Sequence, residues 1–239
     1  MSDDGKRRWR GPAAGSSKAG SGRRLSERKV IAYRAKSESS KKWIERQLSD
    51  PYVQKARNEG YRARAAYKLL EIDERMRLLR RGLRVVDLGC APGGWLQVCQ
   101  ARDVSELVGI DLLPVEPVAT AHIIEGDINN PDDVAAMMSG LSGPPDLVLS
   151  DMAANTTGHR RTDSLRTAAL ADMAYEFARQ HLVQGGSFCS KVFQGGATLQ
   201  LMTQLKRDFS DVRHLKPPSS RRGSPELFVV AKGFRGRSL

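Results

Sequence analysis

The chain has 239 residues and a formal net charge of +12, from 39 Lys and Arg against 27 Asp and Glu. This length accommodates one α/β domain and a tail, but not several domains. No segment is long and apolar enough to span a membrane and the N-terminus lacks a secretory signal, so we expect a cytoplasmic protein that does not bind a membrane. The three cysteines and four histidines lack the spacing of zinc ligands, which predicts reduced thiols and no metal site.

The positive charge is concentrated at the N-terminus. Residues 1–50 carry 14 Lys and Arg against 6 Asp and Glu, which is +8 of the total. The first part of this segment is rich in Gly, Ser and Ala without periodicity, which is typical of disorder. We therefore predict a basic, disordered tail over residues 1–38 that binds RNA phosphates, followed by a folded domain over residues 39–239. A solvated tail that binds nothing is the alternative.

Two helices are predicted before the first strand. Pro51 suits the first turn of a helix, and Asp50 suits its N-terminal cap. The second helix is predicted over 62–79 and ends at Gly82. Its inward face is expected to consist of Ala66, Leu69, Leu70, Ile72, Met76 and Leu79.

A hydrophobic strand, a glycine-rich turn and a helix follow. The apolar run 84–88 predicts a buried strand. Gly89, Gly93 and Gly94 allow the backbone to turn sharply and to lie close to a ligand. The helix predicted over 95–101 then directs its N-terminal amides at that ligand. The turn lacks the Gly-Lys-Ser/Thr of a P-loop and departs from the dinucleotide fingerprint, so we expect it to hold S-adenosylmethionine (SAM).

Strands and helices alternate over the rest of the chain, which predicts a largely parallel sheet covered by helices on both faces. The last two strands are joined by a Pro/Ser/Arg loop without a helix, which favours antiparallel pairing there. The further strands are predicted at 107–111, 122–126, 146–151, 187–193, 211–215 and 226–232, and the helices at 131–139, 165–182 and 199–209.

Acidic residues follow three of the predicted parallel strands. Asp111 ends the second strand, Asp127 follows the third, and Asp151 ends the fourth. Ligands of open parallel sheets bind beyond these carboxyl ends, where Asp111 suits a ribose diol and Asp127 an adenine amino group. Trp95 offers apolar area beside the ligand. Each acid alone is equally compatible with a solvated strand end or a helix cap.

Four charged residues are expected at the same edge of the sheet: Lys68, Asp151, Lys191 and Glu226. Lys191 lies in a strand that is otherwise apolar, and burial is expected to bring its pKa below the usual value of about 10.4. If the last strand is antiparallel, Glu226 begins where the parallel strands end. Taken singly, the alternatives are an exposed helix residue for Lys68, a strand-end cation for Lys191 and an ordinary strand-start acid for Glu226.

The motifs resemble those of the FtsJ/RlmE family of ribose 2′-O-methyltransferases, over about residues 40–234. One departure is Ala154, where the family usually has proline, and another is the long basic tail. The segments that carry the resemblance are Arg64–Leu69, Asp87–Trp95, Ser150–Ala153, Ser190–Gly195 and Ser224–Glu226.

This resemblance implies a Rossmann-like, SAM-dependent methyltransferase fold, with a seven-stranded, mostly parallel sheet and an antiparallel last strand. It also implies a catalytic tetrad of Lys68, Asp151, Lys191 and Glu226, in which we take Lys191 as the proton acceptor. The implied substrate is a uridine ribose of 23S rRNA within the 50S subunit, modified late in assembly by a monomer that uses no metal. The implied SAM contacts are Gly89, Pro92, Gly93, Trp95, Asp111, Asp127 and Asp151.

Other functions are compatible with the same sequence. A tRNA ribose 2′-O-methyltransferase of the same fold would carry the same motifs. A non-catalytic RNA-binding assembly factor could keep the fold without the chemistry, although the complete tetrad argues against it. A nucleotide-dependent dehydrogenase fits less well, because the glycine spacing differs from that of the dinucleotide fingerprint.

Overall fold

The structure is a computed structural model that describes residues 49–154, 157–195 and 198–236. The basic tail predicted over residues 1–38 and the domain boundary at residue 39 lie outside these ranges. Both therefore stay predictions.

Helix α1 spans Pro51–Glu59 and has the N-terminal cap that the sequence predicts. The Asp50 carboxylate accepts a hydrogen bond from the backbone N–H of Tyr52 at 3.0 Å, and Pro51 occupies the first turn. The helix ends at Gly60, whose φ of +79° is left-handed. Asp50 also forms an ion pair with Arg64 at 2.9 Å.

The rest of the described chain forms one seven-stranded sheet with helices on both faces, which confirms the predicted fold class. The strand order is β3-β2-β1-β4-β5-β7-β6, and β7 runs in the direction opposite to the other six strands. The strands are β1 (Arg84–Leu88), β2 (Glu106–Asp111), β3 (Ala121–Glu125), β4 (Leu147–Ser150), β5 (Ser187–Phe193), β6 (Phe209–Leu215) and β7 (Glu226–Phe234). The helices are α2 (Ala65–Met76), α3 (Gly94–Ala101), α4 (Pro131–Met138), α5 (Arg160–His181) and α6 (Leu199–Asp208).

Strand β7 is inserted between β5 and β6. Lys191 of β5 pairs with Phe228 of β7, and Phe193 pairs with Glu226. Because β7 is antiparallel, its first residue lies at the edge where the parallel strands end. Glu226 is therefore at the carboxyl edge of the sheet, as the sequence predicts.

The two faces of the sheet are buried by different helices. On one face, α4, α5 and α6 enclose a single apolar cluster that includes Val86, Val108 and Phe188. On the other face, α3 places Trp95 against Phe228, with ring centroids 5.8 Å apart. No helix in the described residues is long and apolar enough to cross a bilayer.

Helix α2 ends earlier than predicted. The chain leaves the helix at Arg77, whose φ is +52°, and the Asp73 carboxylate accepts the backbone N–H of Leu79 at 2.7 Å. This local cap competes with another helical turn, so Leu79 is buried beyond the helix and Gly82 lies in the turn before β1. Leu70, expected to face inward, is only half-buried.

Candidate functional site

A cavity of about 380 Å³ lies beyond the carboxyl ends of the first four strands. Its volume falls in the range of about 300–1,000 Å³ that is usual for cofactor and small-molecule sites. The structure thus brings Asp111, Asp127 and Asp151 to the wall of one cavity. The lining is completed by Gly89, Ala91, Ile110, Leu112, Leu113, Gly126, Ile128, Asn129, Met152, Ala153, Leu170 and Met173.

Glycine is required where the turn after β1 borders this cavity. Gly89 has a φ of +75°, and a Cβ there would lie 2.5 Å from Cγ of Met152 and 3.1 Å from its Cα. Any side chain would therefore displace the backbone after β4. Gly93, at the N-terminal cap of α3, has a φ of +102°. Glycine at position 89 therefore allows the turn after β1 to pack against the backbone that follows β4.

Two of the acidic side chains on the cavity wall are held by backbone amides. Asp111 accepts from Ala91 N–H at 2.8 Å and from Leu113 N–H at 2.9 Å, one bond to each carboxylate oxygen. The Oδ1 atom of Asp127 accepts from both the backbone N–H and the side-chain amide of Asn129, at 2.9 Å each. These bonds fix the orientation of the carboxylates and leave further acceptor capacity on their oxygens.

Pro92, Gly93 and Trp95 are not among the residues that line the cavity. The Trp95 side chain is buried, with 3% exposed, and its indole N–H donates to the Ala65 carbonyl at 2.8 Å. Its ring therefore packs inside the protein and does not line the cavity, so a cofactor contact of Trp95 stays a prediction. A cofactor can still bind main-chain groups in the loop after β1 and at the start of α3. The first N–H groups of α3 have no acceptors within the helix.

Two lysines and two carboxylates meet beside the cavity. The Lys68 Nζ atom lies 2.8 Å from Glu226 Oε2 and 3.3 Å from Asp151 Oδ2. The Lys191 Nζ atom lies 3.2 Å from Asp151 Oδ1 and donates to the Asp151 carbonyl at 2.8 Å. Asp151 thus contacts both ammonium groups and also lines the cavity. Lys68 is not an exposed helix residue, because only 13% of its side chain is accessible.

The electrostatics of the cluster keep Asp151 ionised and Lys68 protonated. Burial raises the pKa of Asp151, but the charges of Lys68 and Lys191 outweigh it and bring that pKa below its ordinary value. Burial lowers the pKa of Lys68, but Asp151 and Glu226 together bring it above its ordinary value. The cluster contains two potential cations and two potential anions, so its charges nearly cancel.

Two features of the site were missed at the sequence level. Asp87, the last residue but one of β1, is 1% exposed, and neither carboxylate oxygen has a partner among the described residues. Burial raises its pKa well above the ordinary value, and the charges of Asp151 and Asp111 add to this effect. The sequence signal for Asp87 is an acidic residue within a mostly apolar strand. Ser220, which donates to Glu226 Oε1 at 2.8 Å, carries no such signal because serine is ordinary in a loop.

Basic residues near these motifs differ in their surroundings. The side chains of Arg161, Arg221 and Arg222 are exposed, whereas Arg64 is bound to Asp50 and lies over the Tyr52 ring.

Within the described residues, no group of three or more His, Cys, Asp or Glu could hold a metal ion.

Comparisons with known proteins agree with the resemblance seen in the motifs. The family described as "FtsJ-like methyltransferase" matches residues 61–234. A protein of Hyphomonas neptunium is 66% identical over 235 residues, covering 98% of this chain and all of the relative. A protein of Sphingopyxis alaskensis is 52% identical over 225 residues, covering 94% of this chain and 98% of the relative. Both are named ribosomal RNA large subunit methyltransferase E.

Solved structures lead to the same family. A crystal structure described as a putative ribosomal RNA methyltransferase from Plasmodium falciparum has a TM-score of 0.67 and 33% identity, covering 74% of this chain and all of that one. A putative hemolysin from Lactococcus lactis has a TM-score of 0.53 at 14% identity, covers 73% of this chain and 90% of that one, and shares the fold alone. As its motifs predict, this chain belongs to the FtsJ-like methyltransferase family.

Proposed function

We propose that this protein transfers a methyl group from SAM to the 2′-oxygen of a uridine ribose in 23S rRNA. The proposed substrate is the 50S subunit late in its assembly, and the enzyme acts as a cytoplasmic monomer. Relatives that match nearly the whole chain carry the name of a large-subunit rRNA methyltransferase. The observation that carries the proposal is the position of Asp151, which lines the cavity and binds both lysines.

The residues of the cavity fit SAM. Asp111 and Asp127 offer carboxylate oxygens for a ribose diol and an adenine amino group. The turn after β1, which contains Gly89, Pro92 and Gly93, and the first turn of α3, which contains Trp95, offer main-chain groups to the methionine part. When bound, SAM supplies an electrophilic methyl group on its sulfonium. The protein's part is to position the ribose and to remove the proton from its 2′-hydroxyl.

Lys191 is the better base of the two lysines. Lys68 contacts two carboxylates, which raise its pKa, so it retains its proton. Lys191 contacts one carboxylate and the Asp151 carbonyl. In its neutral form, the Lys191 amine accepts the proton that the 2′-hydroxyl loses as its oxygen bonds to the methyl carbon and the bond from that carbon to the sulfur of SAM breaks. Asp151 and Glu226 hold the two lysines at the distances required for this transfer.

The arginines and the basic tail provide a surface for the RNA backbone. Arg221 and Arg222 are exposed and lie in the loop that leads to Glu226, and Arg161 is exposed at the start of α5. Guanidinium groups bind phosphates while a splayed ribose is presented to the tetrad. The tail adds further positive charge for binding to the ribosomal particle.

Mapping of ribose methylation in total RNA tests the function directly. Cells that contain the protein and cells that lack it are compared, and we expect one 23S uridine to lose its 2′-O-methyl group in the second strain. Purified protein with labelled SAM should then methylate 50S particles from the deletion strain but not particles that already carry the mark. Incorporation into tRNA alone would indicate the tRNA enzyme. Absence of any turnover would indicate a non-catalytic assembly factor.

A further inference from the structure

The loop between β6 and β7 is unusual because its serines are buried. Ser219 is 1% exposed and Ser220 is 6% exposed, although the neighbouring Arg221 and Arg222 are exposed. Buried hydroxyl groups are stable only when they have hydrogen-bond partners. The partners of these two serines lie in the helix and in the strand that carry half of the tetrad.

Ser219 attaches the loop to helix α2. The Oε2 atom of Glu71 accepts from the Ser219 backbone N–H at 2.8 Å and from its hydroxyl at 2.6 Å. Glu71 follows Lys68 by three residues, so the two side chains project from neighbouring positions on one side of α2. The helix that carries Lys68 therefore also carries the acceptor that anchors the loop.

Ser220 fixes the carboxylate of Glu226. Its hydroxyl donates to Oε1 at 2.8 Å, while Oε2 lies 2.8 Å from Lys68 Nζ. Each oxygen of Glu226 thus has a different partner, and together these define the rotation of the carboxylate. The last torsion of a glutamate is otherwise broad, so without Ser220 the carboxylate can turn away from Lys68.

We propose that Ser220 is a positioning residue that holds Glu226 against Lys68, and that Glu71 supports it by anchoring Ser219. This inference rests on the proposed function of the tetrad but adds a residue that no motif indicates. If Glu226 turns away, Lys68 keeps Asp151 as its one carboxylate partner in the tetrad, and Asp151 must compensate both lysines. Ser220 therefore acts on the alignment of Lys191 through Glu226, and it does not line the cavity.

The test compares Ser220→Ala with Ser220→Thr, which retains a hydroxyl. We expect Ser220→Ala to lower kcat about tenfold, as for the loss of one hydrogen bond to a charged group, with KM for the 50S particle and Kd for SAM unchanged. Ser220→Thr should recover most of the rate. Ser224→Ala is the matched control, because within the described part of the chain Ser224 Oγ accepts from the backbone N–H of Glu226, at 3.2 Å, and does not contact its carboxylate.

A double-mutant cycle separates positioning from general loop damage. In a Glu226→Ala background, Ser220→Ala should cause no further loss of kcat, because its effect passes through the carboxylate that is already missing. Additive losses, or a wild-type rate in Ser220→Ala, would overturn the inference and leave the proposed function standing. The contact between Lys68 and Glu226 can also be measured without catalysis, by side-chain NMR of Lys68. Its pKa should fall in Ser220→Ala, and an unchanged pKa would also overturn the inference.

Discussion

Lys191 is bound to both the main chain and the side chain of Asp151. Its Nζ atom donates to the Asp151 carbonyl at 2.8 Å and lies 3.2 Å from Oδ1. The main-chain contact sets the position of the amine independently of the carboxylate, whose second oxygen faces Lys68 at 3.3 Å. Because Asp151 also lines the cavity, the lysine lies beside the proposed methyl donor with little freedom to move.

Lys191→Ala should abolish methyl transfer, with a loss of at least about 100-fold in kcat, because general-base catalysis contributes a factor of about 10²–10⁴. SAM binding, measured by isothermal titration calorimetry, should stay within about twofold, since Lys191 does not line the cavity. Lys206→Ala, which removes an exposed lysine of α6, is the control. Near-normal methylation by Lys191→Ala would contradict the assignment of the base.

Asp111→Ala should weaken SAM binding about tenfold or more, because the carboxylate is both a cavity acceptor and the anchor of the Ala91 and Leu113 amides. The dissociation constant is measured by titration, and thermal unfolding verifies that the variant folds. Asp132→Ala, an exposed acid in the first turn of α4, should leave binding unchanged. A dissociation constant for Asp111→Ala equal to that of the wild type would remove Asp111 from the cofactor site.

The sheet was predictable because its signals are local. The strand at 187–193 matches β5 at both ends, and the Asp50 cap is present as predicted. The antiparallel β7 followed from a connection too short for a helix. The sequence therefore predicts the correct edge of the sheet for Glu226. These features depend on burial periodicity, capping and loop length, which a sequence states directly.

The features that were missed depend on packing between distant segments. Helix α2 ends where the Asp73 carboxylate accepts the backbone N–H of Leu79. The Trp95 ring packs against Phe228, which is far from it in the sequence. The bond from Ser220 to Glu226 joins a loop residue to a strand start, a pairing that no spacing rule indicates. Such contacts arise only once the sheet and α2 are assembled.

The three cysteines should be unreactive in the folded protein. Cys90 is 3% exposed, and Cys99 and Cys189 are fully buried. Burial raises the pKa of each thiol, and the neighbouring carboxylates raise it further, so little thiolate forms at neutral pH. A chromogenic disulfide reagent should therefore modify no thiol in the native protein and all three after denaturation in urea. Rapid modification of one thiol in the native state would show that its segment opens.

Deletion of residues 1–36 tests the basic tail. This segment carries 11 Lys and Arg against 3 Asp and Glu. If it neutralises RNA phosphates, its removal should weaken binding to 50S particles and flatten the dependence of log K on log salt. Methylation of saturating substrate should continue, because every tetrad residue remains. The same salt slope in the full-length and truncated proteins would assign the tail no role in RNA binding.

Asp87→Asn should stabilise the protein increasingly as the pH rises. Burial, followed by the charges of Asp151 and Asp111, raises the pKa of Asp87, so the carboxyl is neutral when folded and ionises on unfolding. Its contribution to stability is complete below the unfolded pKa of about 3.9 and falls above it, by up to about 1.4 kcal/mol per pH unit, until its folded pKa is reached. Asparagine mimics the neutral acid but does not ionise. In urea titrations from pH 5 to 8, the unfolding free energy of the variant minus that of the wild type should therefore increase with pH.

Asp146→Asn is the control, because it should lower the free energy of unfolding where Asp87→Asn should raise it. Burial raises the pKa of Asp146, but the hydrogen bonds and charge of Arg84 outweigh it, so this carboxylate is ionised in both states above pH 5. Removing this charge should weaken the contact with Arg84, at 3.0 Å, by about 1 kcal/mol at every pH in that range.

A different result would contradict the prediction for Asp87. If the unfolding free energies of Asp87→Asn and of the wild type change in parallel with pH, Asp87 is ionised in the folded protein, which requires a partner for its buried carboxylate. The protonation state of Asp87 therefore decides whether β1 holds a buried negative charge close enough to Asp111 and Asp151 to interact with them.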